Sequence, residues 1–322
     1  MTQTLRSSIK GALNRSIKGG LLKPAQFRGS TLDLDFAGAK SLKNQIGKED
    51  VVSFTRASSG TYVDGDGLIK TSPVNVATLS NDWSSWTQFS ATLALNSAEG
   101  PYGSNDAATL SGSNGYINRS TFIKDVQQGT QYTVSLFVKN INATSLIIQP
   151  RGSGIFSSPP SIEVASQLAT DEWVRVSGTF TPDAGSGNAN ARIYITGEAQ
   201  IYGFQVEEGT TATDYIPTTS TISGAPRFDH DPATGESLGL LIEEARTNLI
   251  LDSSFTAEDG ADGVTNQPST EVNPEGISSC RKIIATSGSN LHRLVLTQPS
   301  TANTKSISIF VKKDTHLSLI HI

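Results

Sequence analysis

Trp173-Val174-Arg175-Val176-Ser177-Gly178-Thr179-Phe180 follows a period-two alternation. Successive side chains of a strand point to opposite faces, so this period fits a strand with one face buried and the other wet. Tyr132–Val138 alternates in part, and clusters such as Gly100-Pro101-Tyr102-Gly103 and Pro182–Gly187 supply the turns between strands. Composition agrees with that reading. With 36% apolar residues, 17% charged residues and 29 glycines, the chain lacks the Ala, Leu, Glu and Lys that helical bundles use in bulk. The predicted fold class is all-β, built around a two-sheet sandwich of about 150 residues.

Several functional classes are disfavoured at once. The net charge of −5 leaves no broad basic surface, so nucleic acid is not an expected partner. The single cysteine, Cys280, rules out an internal disulfide framework and a multi-cysteine metal site. No apolar run approaches the ~18 residues of a membrane span, and membrane insertion is not expected. Residues 1–28 are basic but lack the apolar core of a secretory signal.

Residues 1–30 read as a basic arm carrying Arg6, Lys10, Arg15, Lys18, Lys23 and Arg28. Leu5, Ile9, Leu13, Ile17 and Leu21 recur every four residues, which lays a narrow apolar stripe along a helix. Gly11, Gly19 and Gly20 weaken that helix, so the arm is either a docking or trimerising segment or a disordered tail. From Asp33 to about Ser72 the chain reads as short strands. One hairpin is expected where Thr61–Val63 and Leu68–Lys70 flank Asp64-Gly65-Asp66-Gly67, and another where Pro226–His230 turns through Asp231–Gly235 into Leu238–Glu243.

The phrases FTRASSGTYVDGDGLIKT (54–71) and PRFDHDPATGESLGLLIEEARTNLI (226–250) resemble consecutive pieces of a segment common in tailed-bacteriophage structural proteins. About 150 residues separate the two pieces here, as if a domain interrupted the frame. Residues 75–222 in turn resemble the jelly-roll, carbohydrate-binding-module-like repeats of phage tail and fibre proteins. The resemblance rests on WSSW (83–86), GPYGSNDAATL (100–110), TQYTVSLFVK (130–139), DEWVRVSGTFTP (171–182) and the closing IYGFQVEEGTTATDYIPTTST (201–221). It implies an arm (1–30), a β-frame in two parts (31–74 and 223–246), a jelly-roll sandwich (75–222) and the first half of a second sandwich (247–322). NPEGISSCRKIIATSGSN (273–290) parallels GPYGSNDAATLSGSN (100–114), and KSISIFVKK (305–313) parallels YTVSLFVKN (132–140). Residues 317–322 match the conceptual translation of a library-preparation adapter, so the biological chain is expected to continue.

The chemical candidates are few. Gly235-Glu236-Ser237-Leu238-Gly239 has the form of a nucleophile elbow, but a hairpin strand suits its surroundings better. His230 between Asp229 and Asp231 has metal-ligand chemistry, although turn hydrogen bonding explains it more simply. Asp64-Gly65-Asp66-Gly67 lacks the later oxygen ligands of a calcium loop. Glu207-Glu208 and Glu243-Glu244 are adjacent pairs that a strand points apart, which is no glycosidase signature. No catalytic residue is expected.

Exposed aromatic rings stack on sugar faces, which makes Trp83, Trp86, Tyr102 and Tyr116 the candidate ligand contacts; the alternative for the two indoles is core packing. Arg151, in a Gly-Ser loop, is a candidate hydrogen-bond donor to an acidic sugar. No cofactor is expected beyond a structural calcium at Glu99, Asn105 and Asp106, where related sandwiches often hold one. The implied protein is a non-enzymatic phage virion component on the particle surface, a homo-oligomer (trimer) whose arm docks other virion proteins and whose sandwich binds host glycans. A purely structural decoration protein and a fragment of a polysaccharide depolymerase are the competing expectations.

Overall fold

The structure, a computed structural model, describes residues 32–46, 52, 54–244, 256, 260–287, 292–295, 309 and 311–312. The chain forms two compact units, Met1–Ser53 and Phe54–Ile322. The basic arm and residues 317–322 lie outside the described residues. In the first unit the expected strands do not form between 32 and 46. The Asn44 side chain accepts the backbone N–H groups of Asp33 and Ile46, and this local bonding folds the segment as a loop.

The second unit carries seventeen strands and a 3-10 helix among its described residues. They are β1 (Thr61–Val63), β2 (Ile69–Thr71), β3 (Val74–Asn75), β4 (Thr87–Ala98), β5 (Ala107–Val126), β6 (Tyr132–Asn140), β7 (Ser145–Arg151), β8 (Ile162–Glu163) and β9 (Trp173–Phe180). There follow β10 (Gly187–Glu208), β11 (Ser223–Gly224), β12 (Phe228–His230), β13 (Ser237–Leu240), β14 (Gly260–Asp262), β15 (Val264–Pro268), β16 (Arg281–Ala285) and β17 (Arg293–Val295). The helix is the single turn Ala165–Gln167, so the chain is all-β as expected.

A seven-stranded antiparallel sheet runs in the order β4-β5-β10-β6-β9, with β7 joining along β10 and β8 pairing β7. β10 is 22 residues long. One of its edges pairs β5, while the other pairs β7 over Asn190–Thr196 and β6 over Ala199–Glu208. The sheet folds over where its long strands bend. Ser90, Asn114 and Gly197 have φ of 51°, 60° and 102°, and the ladders shift register beside them. Gly115 must be glycine here, since a Cβ would fall onto the backbone of Ser90 and Ala91. The folded sheet is a jelly-roll sandwich. Its core takes Leu110 and Ile117 of β5, Val134, Leu136 and Val138 of β6, Leu146 and Ile148 of β7, Val176 of β9, and Ile193, Ile195 and Ile201 of β10.

The phrase that closes the sandwich has a physical meaning. After β10 the chain returns across the outer face of β6 and β10 as a roof. Glu207 accepts hydrogen bonds from the Thr213 N–H and hydroxyl, and Ile216 N–H donates to Gln205. Tyr215 lies edge-on to Phe137 and Tyr202 and shares a 2.6 Å hydrogen bond with the Ser80 hydroxyl.

β3 pairs β11 where the chain enters and leaves the sandwich, with Asn75 opposite Ser223. The buried Asn75 amide donates to the carbonyls of Phe204 and Ile216 and accepts from Ala77 and Val206 N–H, so all its bonding capacity is spent at this neck. Both expected hairpins form, as β1–β2 and β12–β13. They grip each other through side chains: Asp229 accepts Val63 N–H, His230 Nδ1 bonds Val63 O, and Arg227 donates to Thr61 O.

Beyond residue 260 the described strands make two two-stranded sheets, β14–β17 and β15–β16. Of the parallel phrases, the first reproduces a turn. Gly100 N–H donates to Ser104 O and Gly103 N–H to Gly100 O; Asn273 N–H donates to Ile277 O and Gly276 N–H to Asn273 O. Gly103 and Gly276 have φ of 85° and 84°, and each turn leads into a strand, β5 or β16. Most of the second parallel phrase, 305–313, lies outside the described residues.

Gly115→Ala is expected to destabilise the sandwich by about 1–3 kcal/mol in denaturant unfolding, the usual cost of forcing atoms into filled space. Burial also pushes the Tyr215 hydroxyl up to about 12. The folded state therefore favours the phenol, a contribution complete below the ordinary tyrosine value near 10 and lost as pH rises through about 12. Melting temperature should fall over that window, and Tyr215→Phe should flatten the fall.

Candidate functional site

β10 sorts its residues by parity between Ala189 and Ile195. Ala189, Ala191, Ile193 and Ile195 are buried, so Asn190, Arg192 and Tyr194 face outward. Register then places partners beside them. Tyr194 lies opposite Tyr116 of β5 and Ile147 of β7, while Arg192 lies opposite Asn118 and Gln149. Phe89 of β4 lies opposite Tyr116. Three adjacent strands thus present a row of rings, Phe89, Tyr116 and Tyr194. Centroids are 4.7 Å apart in the first pair, which is stacked, and 4.8 Å in the second, which is tilted by 43°. Phe89 is 42% exposed and the two tyrosines half-buried, which leaves apolar ring surface open to a ligand.

A polar row runs beside the rings. The Arg192 guanidinium sits 4.4 Å from the Tyr116 centroid and donates to Asn118 Oδ1 and Tyr194 Oη. Tyr194 Oη donates to Gln149 Oε1 at 3.4 Å, and Arg151 Nη1 donates to the same oxygen at 2.6 Å. Arg151 and Arg192 line an open cleft of about 380 Å³ with Asn118 and Asn190, and Phe156 and Pro159 of the β7–β8 connection form its far wall. An apolar platform edged by fixed donors and acceptors has the chemistry of a ligand groove.

Two of the sequence candidates, Tyr116 and Arg151, lie on this face. The two indoles do not. Trp83 and Trp86 are 4% and 5% exposed, and both belong to the sandwich core. Trp86 N–H donates to Trp83 O, a turn that brings both rings to one side, 5.3 Å apart, where Trp86 packs on Phe122 and Phe204. Covered on both sides, neither ring has a face to offer a sugar, which corrects that expectation. Tyr102 is exposed but stands at a turn tip against Phe137 and Tyr202, rings of the other layer, and does not join the row.

The sequence reading missed Phe89, Asn118, Gln149, Arg192 and Tyr194. Ala191-Arg192-Ile193-Tyr194-Ile195 does alternate, and that signal would have marked Arg192 and Tyr194 as outward. Their meeting with Tyr116 and Phe89 depends on cross-strand register, which no local pattern carries.

The calcium candidates surround the Gly100–Asp106 turn. Asn105 donates to Asn96 O, Glu99 O accepts the Trp173 indole, and burial holds the Asp106 carboxyl above the usual carboxylate range. Among the described residues no three His, Cys, Asp or Glu side chains gather to hold a metal ion. Ser237 opens β13 opposite His230, so Gly235–Gly239 is a turn and strand and has no elbow geometry. Glu207 is buried and Glu208 exposed, pointed apart as expected.

The sequence profile of a family described as "Carbohydrate binding domain" matches residues 74–200, under half of the chain. That span contains Phe89, Tyr116, Gln149, Arg151, Arg192 and Tyr194, and it is similar in sequence to that family. No curated protein matches the chain. Among solved structures, it is similar to the CBM22-1–GH10 modules of Clostridium thermocellum endo-1,4-beta-D-xylanase 10B, complexed with xylohexaose. Identity there is 13% over 45% of this chain and 30% of that one, with a TM-score of 0.33. It is similar also to the enzymatically active domain of Bacteriophage CBA120 tailspike protein 4, at 12% identity over 42% of this chain and 21% of that one, TM-score 0.32. For the CBM22-1 xylan-binding domain of Paenibacillus barcinonensis Xyn10C the values are 14%, 50% and 100%, with a TM-score of 0.31. The chain thus spans less than a third of the first two structures.

Trp86→Ala is expected to cost the sandwich about 3–5 kcal/mol, the usual loss for a buried aromatic. Chemical denaturation followed by circular dichroism measures it, and a loss under about 1 kcal/mol would contradict the core placement.

Proposed function

We propose that this protein is a non-enzymatic surface component of a tailed-phage virion that attaches to host glycans through the Phe89–Tyr116–Tyr194 face. The observation that carries the glycan reading is the open ring row, edged by Arg192, Gln149 and Arg151, inside the segment that matches a carbohydrate-binding family. The exposed rim of the ring row takes up the apolar C–H surface of a pyranose, and the amide and guanidinium groups exchange hydrogen bonds with its hydroxyls. Each such contact is weak. Many copies on one particle multiply it through effective concentration.

The virion assignment is supported by the phrases at 54–71 and 226–250, and docking and trimerisation are assigned to the basic arm. The Gly100–Asp106 turn stays the place for a structural calcium; an unchanged melting temperature in EGTA would remove it.

The test is binding of the full chain to a glycan array and to bacterial surfaces. Tyr194→Ala should weaken binding by about 2 kcal/mol, roughly thirty-fold in Kd, with its circular dichroism spectrum retained because the ring is half-buried. Absence of binding by the folded protein, displayed multivalently, would move the assignment to a decoration protein. Release of reducing sugar would move it to a depolymerase.

A further inference from the structure

The charge of the ring-lined face does not match that of the chain. Asp and Glu outnumber Lys and Arg, 30 to 25, yet among the described residues no carboxylate pairs with Arg151 or Arg192. Their partners are neutral: Gln149 for Arg151, Asn118 and Tyr194 for Arg192. The acids of the flanking segments are turned elsewhere. Glu163 accepts from Ser145, Leu146 and Ala165, and Asp183 accepts from the Ser157 backbone and hydroxyl.

The two guanidiniums are held in place all the same. Arg192 is stacked on Tyr116 and pinned at Nε and Nη1; Arg151 is pinned at Nη1. Both residues border one cleft, and each keeps N–H donors beyond those already bonded. A guanidinium already ordered by neutral neighbours loses little freedom when it takes an anion, and its planar fork matches a carboxylate.

We infer that the cleft selects acidic glycans: a uronic-acid unit lies with its carboxylate on Arg192 and Arg151 in the cleft and its ring against the exposed edge of the adjoining Tyr116–Tyr194 row. This inference rests on the glycan-binding reading above and adds to it the class of sugar. Uronates are anionic at neutral pH, so the preference belongs to pH 7 and weakens as salt screens the pair.

The experiment compares, for the full chain, a set of uronate polymers (polygalacturonate, alginate, hyaluronan, glucuronoxylan) with their carboxyl-reduced forms, and with sulfated galactans as a second anion source. At least one uronate polymer should bind roughly tenfold tighter than its reduced form, the gain expected of a charge-assisted bidentate contact. Arg192→Gln combined with Arg151→Gln should erase that ratio, bringing the acidic polymer down to the affinity of its reduced form. Arg192→Lys, which keeps the charge and the packing stem, should retain part of the ratio. Equal binding of acidic and reduced polymers overturns the inference and leaves glycan binding standing. Sulfated galactans bound as tightly as the uronates overturn the carboxylate assignment. Silence across all three sets overturns both readings.

Discussion

β5 and β10 run unbroken through both layers of the sandwich; β4, β6 and β7 pair directly with one of them, and β9 and β8 follow through β6 and β7. One continuous hydrogen-bonded sheet therefore has to fold over, and it does so where Ser90, Asn114 and Gly197 adopt left-handed backbone. A straight strand of such length would carry half its apolar residues away from any core. Bending instead brings Ile117 and Ile193 of one layer and Leu136 and Val138 of the other into one cluster. The bends cost local strain and a close backbone approach at Gly115. Burial on both sides of the core repays it.

The two outer faces that result are treated differently. The face of β6 and the end of β10 is roofed by residues 209–219, which satisfy Gln205 and Glu207 and cover Tyr202 with Tyr215. Among the described residues, the face of β7 and the start of β10 carries no such roof. Its side chains instead satisfy one another laterally, from Asn118 through Arg192, Tyr194 and Gln149 to Arg151. A lateral network of this kind keeps side chains upright and leaves their tops open, which is what a groove for an extended ligand requires.

How much could be read from the chain depended on whether the signal was local. Alternation gave strand β9, Asp-Gly turn chemistry gave the β1–β2 hairpin, and the paired x-Pro-x-Gly-x turns at 100–104 and 273–277 share one hydrogen-bond pattern. Tyr116 and Arg151, each named in a polar context, stand on the face of the ring row. Trp83 and Trp86 stand in an equally polar one, on either side of Ser84 and Ser85, and of the two readings open to them core packing holds. Two serines cannot disclose that a turn tucks both indoles under Phe122 and Phe204. Phe89, 27 residues before its stacking partner Tyr116, illustrates the other limit, since a cross-strand row belongs to register and not to spacing.

The β3–β11 pair gives the molecule a particular mechanical layout. The chain enters and leaves the sandwich on neighbouring antiparallel strands, clamped together by the buried Asn75 amide. Tension drawn along the backbone from the β1–β2 hairpin to the β12–β13 hairpin thus has a short route across that pair, reinforced by Asp229 and His230 on Val63. The sandwich hangs beside the line of pull as a side loop. A pull between the two hairpins would load the neck while the sandwich beside it kept its shape.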